Sequence, residues 1–534
     1  MSQPTKKQTF LHGAALLALA TAIVKIIGAL YKIPLKMIID DRGYGYFTTA
    51  YDIYAVLLTI STAGLPVAMS RMISQASSLG NYNQVRKVYK TSRAIFLGLG
   101  FVSTVLMMGF ATPLAKWLGQ PNAAYAILFL GPCALLMGII STYRGFFQGQ
   151  GDMRPTSSSQ VLEAVFKLIV GLGAAFAIMY YTKSVPLAAG GAILGVTVSC
   201  AVSVIYLFSK FRPAYTQLPK TEDQAMSYSS TLKGLLAIAV PITIGAAGLQ
   251  FLAVVEQKLY MGQLLTSVGM SQDGADTVKG IYSMSMTIFN MPCAFIVPIT
   301  ISVIPAITSY LTLKNDQSVR ETEESAARIT GLISLPCSVG LCLLARPVMS
   351  LLGGYTGEKL ELAAQLMAIL GACIFLYSIV QYTNAVLQSH GYAHLPVINM
   401  LSTGAVRLVV VYILVGNPKL GILGAPLGAL LCYGAIGIMN LIAIRKVVPQ
   451  KPALVRNLFR PLIPVTIMGM LVWLCYWGLT KVLGPDGSRV ILCGVPIAVG
   501  GLVYCVAVAK CKSITAADCA LLPKGEKIAK FLKL

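Results

Sequence analysis

The sequence predicts an all-α membrane protein of fourteen transmembrane helices, built as two parallel six-helix repeats followed by an extra helix pair. Three observations lead there. Of the 534 residues, 56% are hydrophobic and 11% charged, whereas soluble chains carry about 25% charged residues. Apolar stretches of roughly 20 residues, enough to cross a ~30 Å hydrocarbon layer, recur from end to end. Segments in the first half also reappear in order about 240 residues later.

The expected spans are 11–38, 46–69, 91–115, 123–147, 157–181, 186–209, 232–259, 280–312, 329–351, 362–388, 394–415, 421–444, 460–482 and 489–510. The basic start and the alanines Ala18 and Ala20 resemble a signal peptide, but the apolar run continues past Lys25 and is too long for one. The repeat is clearest where GFFQGQGDMRPTSSSQVLEAVFKLIV (145–170) faces AVLQSHGYAHLPVINMLSTGAVRLVV (385–410), which aligns Gln148 with Gln388, Gly151 with Gly391 and Lys167 with Arg407. FATPLAKWLG (110–119) likewise resembles LARPVMSLLGG (344–354), and GLPVAMSRM (64–72) resembles VIPAITSYL (303–311). Six is even, so both copies share one orientation, the parallel-repeat plan of many transporters. The expected organisation is a first lobe at 1–209, a cytoplasmic linker at 210–231, a second lobe at 232–445, the extra pair at 446–510 and a basic tail at 511–534. Pro241 and Gly245 in the seventh span, with Pro292, Pro298 and Pro305 in the eighth, suggest helices bent around a cavity. The segment 523–534 suits an interfacial helix or a disordered basic tail.

The formal net charge is +23, with 42 Lys and Arg. These are scattered among short loops instead of forming a stripe with interleaved aromatics, which argues against a nucleic-acid partner. The N-terminus, alternate loops and the tail hold most of them, so the positive-inside rule puts both termini in the cytoplasm of a cell-membrane protein. The twelve cysteines show no Cys-x-x-Cys pair or regular spacing, and neither a disulfide framework nor a zinc site is expected. No Gly-Lys dipeptide and no H-E-x-x-H occur, which excludes a phosphate-binding loop of the ATPase type. His390 and His394 read as polar loop residues. No catalytic residue, metal site or cofactor is expected.

Charges inside the spans are the functional signal. Lys25, Lys32, Lys167 and Arg407 stand in apolar segments against Asp52 and Glu163. Each cation at a span centre costs about 2.5–3.5 kcal/mol, so such residues snorkel, pair or line a watery cavity. Lys25 and Lys32 are seven residues apart and share one helix face. Glu163 and Lys167 have the spacing of a favourable i, i+4 pair, and Thr403 stands where Arg407 would need such a partner. Asp52 is a candidate for pairing with a lysine or for binding a coupling cation. The excess of positive charge predicts an anionic ligand.

KIIGALYKIPLKMII in the first span, GLPVAMSRMIS at the end of the second and YRGFFQGQGDMRPTSSSQVLEAVFKL between the fourth and fifth resemble the polysaccharide-biosynthesis and stage V sporulation protein B family. That family belongs to the multidrug/oligosaccharidyl-lipid/polysaccharide (MOP) exporter superfamily, alongside the lipid II flippases. The resemblance covers essentially the whole chain. It implies a V-shaped pair of six-helix lobes around a cationic central cavity, with the last helix pair forming a groove for a lipid tail. It further implies a lipid-linked glycan as substrate, carried on a polyprenyl pyrophosphate, moved by alternating access in contact with membrane lipids, with a coupling cation as a candidate partner. Carried over by position, Lys25, Lys32, Lys167 and Arg407 are substrate-binding candidates, and Arg71 and Arg144 are further ones at the cytoplasmic mouth. Relatives often have Arg where Lys167 stands, and lysine lacks the bidentate fork that suits phosphate. Alternatives are another polyprenyl-linked glycan, cation-coupled multidrug efflux, which predicts acidic groups, and a non-transporting scaffold.

Overall fold

The structure, a computed structural model, describes residues 6–62, 64–484, 487–511, 513–515 and 518, all but the short connections helical. The surroundings of Lys25, Pro241, Gly245, Pro298 and Pro305 lie outside this description, as does the segment 523–534. Two compact units divide the chain, Met1–Ser283 and Met284–Leu534.

The first unit contains α1 (Lys6–Thr62), α2 (Leu65–Ser78), α3 (Tyr82–Gly109), α4 (Ala111–Trp117), α5 (Ala124–Gly149), α6 (Arg154–Thr182), α7 (Val185–Thr216), α8 (Tyr228–Thr266) and the start of α9 (Gln272–Thr312). The second holds the rest of α9, α10 (Asp316–Leu343), α11 (Ala345–Leu352), α12 (Gly357–Ser389), α13 (His394–Gly416), α14 (Gly424–Val447), α15 (Leu454–Leu458), α16 (Leu462–Leu483) and α17 (Arg489–Lys510). Every one of the fourteen expected spans coincides with helix. The first two are joined without a loop: α1 runs through both and breaks at a single residue, Asp40, with φ 62° and ψ 177°. The Asp40 carboxylate accepts the Asp41 backbone N–H at 2.6 Å, which supports this left-handed break locally. Beside it Lys36 and Asp41 form a buried ion pair at 3.2 Å.

The internal repeat is visible in backbone detail. Asn81 opens α3 and Asn315 opens α10, each closing the preceding turn through a backbone bond, to Ala76 O at 2.8 Å and Tyr310 O at 3.1 Å. Gly151 and Gly391 stand at φ 81° and 84° after α5 and α12. There the helix ends in one pattern: Asp152 N–H to Phe147 O and Tyr392 N–H to Leu387 O, with Gly151 bonding Gln148 O and Gly391 bonding Gln388 O. That is the left-handed closure for which a side chain at the glycine would add strain. Within each unit the packing also corresponds: α3 on α5, α5 on α7 and α6 on α7 match α10 on α12, α12 on α14 and α13 on α14. The added helices α16 and α17 pack on each other and on α10 and α11.

Hydrogen bonds tie connections together at both ends of the first unit. At one end Gln272 bonds Gly119 O at 2.7 Å and Asn122 bonds the Tyr46 hydroxyl at 3.2 Å. At the other end the segment before α8 is pinned to α3. Asp223 accepts the backbone N–H groups of Asn83 and Gln84, both at 3.1 Å, and so caps α3 from outside that helix. The Arg86 guanidinium donates to Leu218 O at 2.8 Å and Pro219 O at 3.1 Å. The segment expected to link two lobes is thus an ordered strap within the first unit.

Two outcomes test this packing. A Cβ on Gly280 would lie 1.8 Å from the Asp41 carbonyl oxygen, so Gly280→Ala should force α9 off α1 and lower the thermal midpoint of purified protein, by the equivalent of about 3 kcal/mol, the upper end of overpacking costs. The small desolvation of Asp223 acts to raise its carboxyl, but the bonds from Thr221, Asn83 and Gln84 prevail and hold it below the usual carboxylate range. Its contribution is therefore complete above the ordinary carboxylate value and disappears as pH falls through the depressed one. Midpoints of wild type and Asp223→Asn should differ at neutral pH and converge on acidification.

Candidate functional site

Lys167 is in the middle of α6, about one turn before Gly171, where a Cβ would meet the Tyr31 side chain at 2.8–2.9 Å. This close approach lets α1 lay tyrosines against α6. The Tyr31 hydroxyl donates to Ala192 O on α7 at 3.0 Å, which fixes its ring. Phe47 spaces Tyr31 from Tyr51, with ring centroids 5.8 and 4.9 Å away. The Lys167 ammonium faces both tyrosine rings, 5.4 Å from the Tyr31 centroid and 5.6 Å from that of Tyr51. Two such faces, each worth about 0.5–2 kcal/mol, are comparable with the ~2.5–3.5 kcal/mol cost of a lysine at span centre.

Glu163, the expected i, i+4 partner of Lys167, is bonded elsewhere. Its carboxylate takes Arg144 of α5 at 3.0 Å, and Arg144 also donates to the Ser159 hydroxyl at 3.0 Å. Glu163 still acts on Lys167 through space, but Lys167 makes no ion pair among the described residues. Lys32, one residue beyond Tyr31, is close enough to Lys167 and Asp52 to feel both charges. The Tyr51 hydroxyl is buried and has no hydrogen-bond partner among the described residues. The structure therefore brings together two amines, two ring faces and a phenol available to donate.

Asp52 is engaged by a lysine that the sequence reading places in a loop. Lys279, near the start of α9, reaches Asp52 at 3.3 Å and Gln257 at 3.2 Å, with its ammonium over Tyr260. From Gln257 the network continues: Gln257 donates to Thr49 at 2.8 Å, Thr49 bonds Gln120, and Gln120 donates to Asp276 at 3.0 Å. Tyr46 donates to the other Asp276 oxygen at 2.9 Å. This chain ties α1, α8 and the first turns of α9 together. Lys279 carries little sequence signal because it stands at the boundary of its expected span. Tyr31 and Tyr51 leave a fainter signal, the run of tyrosines at 31, 44, 46, 51 and 54.

Of the remaining candidates, Arg71 is exposed on α2, and Arg407 is partly buried in α13, near Cys373 and Tyr433. The Lys25 side chain is outside the description. His390 donates to or accepts from the Glu323 carboxyl at 2.7 Å, which ties α12 to α10. Chemically, the cluster around Lys167 offers cations and donors for oxyanions.

Two family models match the chain, one described as polysaccharide biosynthesis protein over residues 10–311 and one as MatE over residues 252–413. Stage V sporulation protein B of Bacillus subtilis (strain 168) is 26% identical over 83% of this chain and 85% of its own length. Lipid II flippase MurJ of the same organism is 25% identical over 92% and 94%. In fold the chain is similar to a solved inward-closed lipid II flippase MurJ, with TM-score 0.64 and 13% identity over 93% of this chain and 98% of that one. It is also similar to an inward-facing multidrug resistance MATE family transporter of the MOP superfamily, with TM-score 0.62 and 18% identity over 82% and 95%.

Two substitutions separate the cations. Lys167→Met removes a charge with no ionic partner among the described residues and should leave the thermal midpoint unchanged or raised. Arg144→Met strands Glu163 and should cost roughly 2–3 kcal/mol, the 3–5 kcal/mol of a buried pair discounted for partial exposure.

Proposed function

Because the chain belongs to the polysaccharide biosynthesis protein family, we propose that it is a flippase moving an undecaprenyl-pyrophosphate-linked cell-wall precursor, lipid II before any other, from the inner to the outer leaflet. The coarser statement holds independently of the substrate: this is a multi-pass membrane transporter of the MOP superfamily, not an enzyme. The observation that supports an anionic lipid head is the Lys167 amine held over Tyr31 and Tyr51, with Lys32 beside it and Glu163 taken by Arg144. A pyrophosphate supplies the missing counter-charge and accepts from the Tyr51 hydroxyl. Arg407, at the matching place in the second repeat, is proposed to do the same work in its own unit, Lys25 to join Lys32 in holding the head, and Arg71 to guide it on the cytoplasmic side, the side that the charge bias favours for both termini.

Cation-coupled drug efflux fits less well. It calls for carboxylates free to take a cationic drug, whereas Asp52 and Glu163 are each in an ion pair. Another polyprenyl-linked glycan would suit the same cations.

The test is accessibility of the precursor headgroup at the outer surface of cells depleted of their own lipid II flippase. Wild type should restore it. Lys167→Ala and Lys32→Ala, expressed at normal levels, should reduce the rate by roughly tenfold or more, the lower range for losing one partner of a buried charge contact. Wild-type rates in these variants would remove the proposed site. Failure of the wild type to complement, with glycan export present in its native cell, would transfer the reading to a different polyprenyl-linked glycan.

A further inference from the structure

The first unit carries a second group of cations, which the transport reading does not use. Residues 82–93 open α3, and residues 206–223 close α7 and begin the strap; together they hold seven Lys and Arg against two carboxylates, Glu222 and Asp223. Asp223 is taken up by the backbone N–H groups of Asn83 and Gln84. Lys90, Arg93, Lys210 and Arg212 are exposed, and none is in an ion pair among the described residues.

Arg93 stands beside an aromatic cluster that joins three helices. Its hub is Phe211 of α7, with ring centroids 4.7 Å from Tyr89 of α3, 4.9 Å from Tyr143 and 5.0 Å from Phe146 of α5, and 5.1 Å from Tyr215. Arg93 is close enough to the Tyr89, Tyr143 and Tyr215 hydroxyls for its charge to act on each. The Tyr143 and Tyr215 hydroxyls make no hydrogen bond among the described residues. A guanidinium fork flanked by phenol donors on packed rings suits the oxygens of a phosphate.

The cluster also stands at a membrane boundary, where the expected span 91–115 begins and the span 186–209 ends. Phe101 and Val105 follow Lys90 along one face of α3, and Ile205 and Phe208 precede Arg212 along one face of α7. All four apolar side chains are exposed. Cations at the helix ends with apolar strips running away from them suit a molecule with acyl chains and an anionic head. We propose that Arg93, with the Tyr143 and Tyr215 hydroxyls, binds the phosphate of an anionic phospholipid whose acyl chains lie along these strips. The site is separate from Lys167, and it faces the side that the charge bias assigns to the cytoplasm. A free phosphate shares the head chemistry but gains nothing from the apolar strips.

The experiment is retention of added lipid by the full-length purified protein, read by native mass spectrometry with phosphatidylglycerol, phosphatidylcholine and inorganic phosphate as separate probes. Phosphatidylglycerol should be retained over phosphatidylcholine, and Arg93→Gln should weaken that retention about fivefold, the value of one basic residue near an anionic surface. Tyr143→Phe combined with Tyr215→Phe keeps both rings and should weaken it about tenfold, the lower range for hydrogen bonds to a charged group. Lys446→Gln removes an exposed cation at the end of α14 in the second unit and should leave retention unchanged. Lys167→Met should also leave it unchanged, which separates this site from the transport reading. Equal retention of both lipids, wild-type retention in Arg93→Gln with an unchanged thermal midpoint, a loss in Lys446→Gln or Lys167→Met equal to that in Arg93→Gln, or binding of inorganic phosphate without phosphatidylglycerol would each overturn the proposal.

Discussion

In the first unit one carboxylate, Glu163, is within influence of two cations, and it is bonded to Arg144. That choice decides the character of the pocket. An ion pair between Glu163 and Lys167 would leave a neutral interior against which an anionic head has no reason to settle. With Glu163 and Ser159 holding Arg144, the Lys167 amine is steadied by quadrupoles instead of by a charge. Ring faces hold a cation without neutralising it. The tyrosine faces therefore steady Lys167 while Glu163 stays with Arg144.

The two repeats solve the corresponding packing problem with different chemistry. In the second unit Asn384 and Asn399 occupy the places of Arg144 and Ser159, and Asn440 bridges them, accepting from Asn399 at 2.9 Å and donating to Asn384 at 2.8 Å and to Thr383 at 3.0 Å. Thr403 replaces Glu163. A neutral amide ladder thus joins α12, α13 and α14 where an ion pair joins α5 and α6. Arg407 thus has Thr403 where Lys167 has Glu163 on its own helix, four residues before it.

Much of the fold was legible because hydrocarbon imposes a length on every span, and the twenty-residue apolar rhythm records it. The repeat was legible for a similar reason: Gly151 and Gly391 answer to one left-handed turn, and Gln148 and Gln388 stand three residues ahead of them. What escaped were features decided by tertiary contact. The break at Asp40 carries no glycine or proline at that residue, and the span pair therefore reads as two helices with a loop. Lys279 looks like a loop cation until its neighbours Asp52 and Gln257 are known. The preference of Glu163 for Arg144 over Lys167 is invisible to spacing, since the i, i+4 rule favours the local pair and only the approach of α5 overrides it.

Among the described residues Lys167 has tyrosine faces in place of an ion-pair partner, and the most direct measurement supplies a carboxylate there. Tyr51→Glu puts a carboxylate where the second ring faces the amine. Affinity of purified protein for farnesyl pyrophosphate, a short polyprenyl pyrophosphate, should fall sharply in this variant with the fold intact by circular dichroism, while Tyr51→Phe, which keeps the ring and loses only the hydroxyl donor, should weaken it less. Equal affinity in Tyr51→Glu and wild type would contradict the claim that an unanswered positive charge at Lys167 is what draws the lipid head.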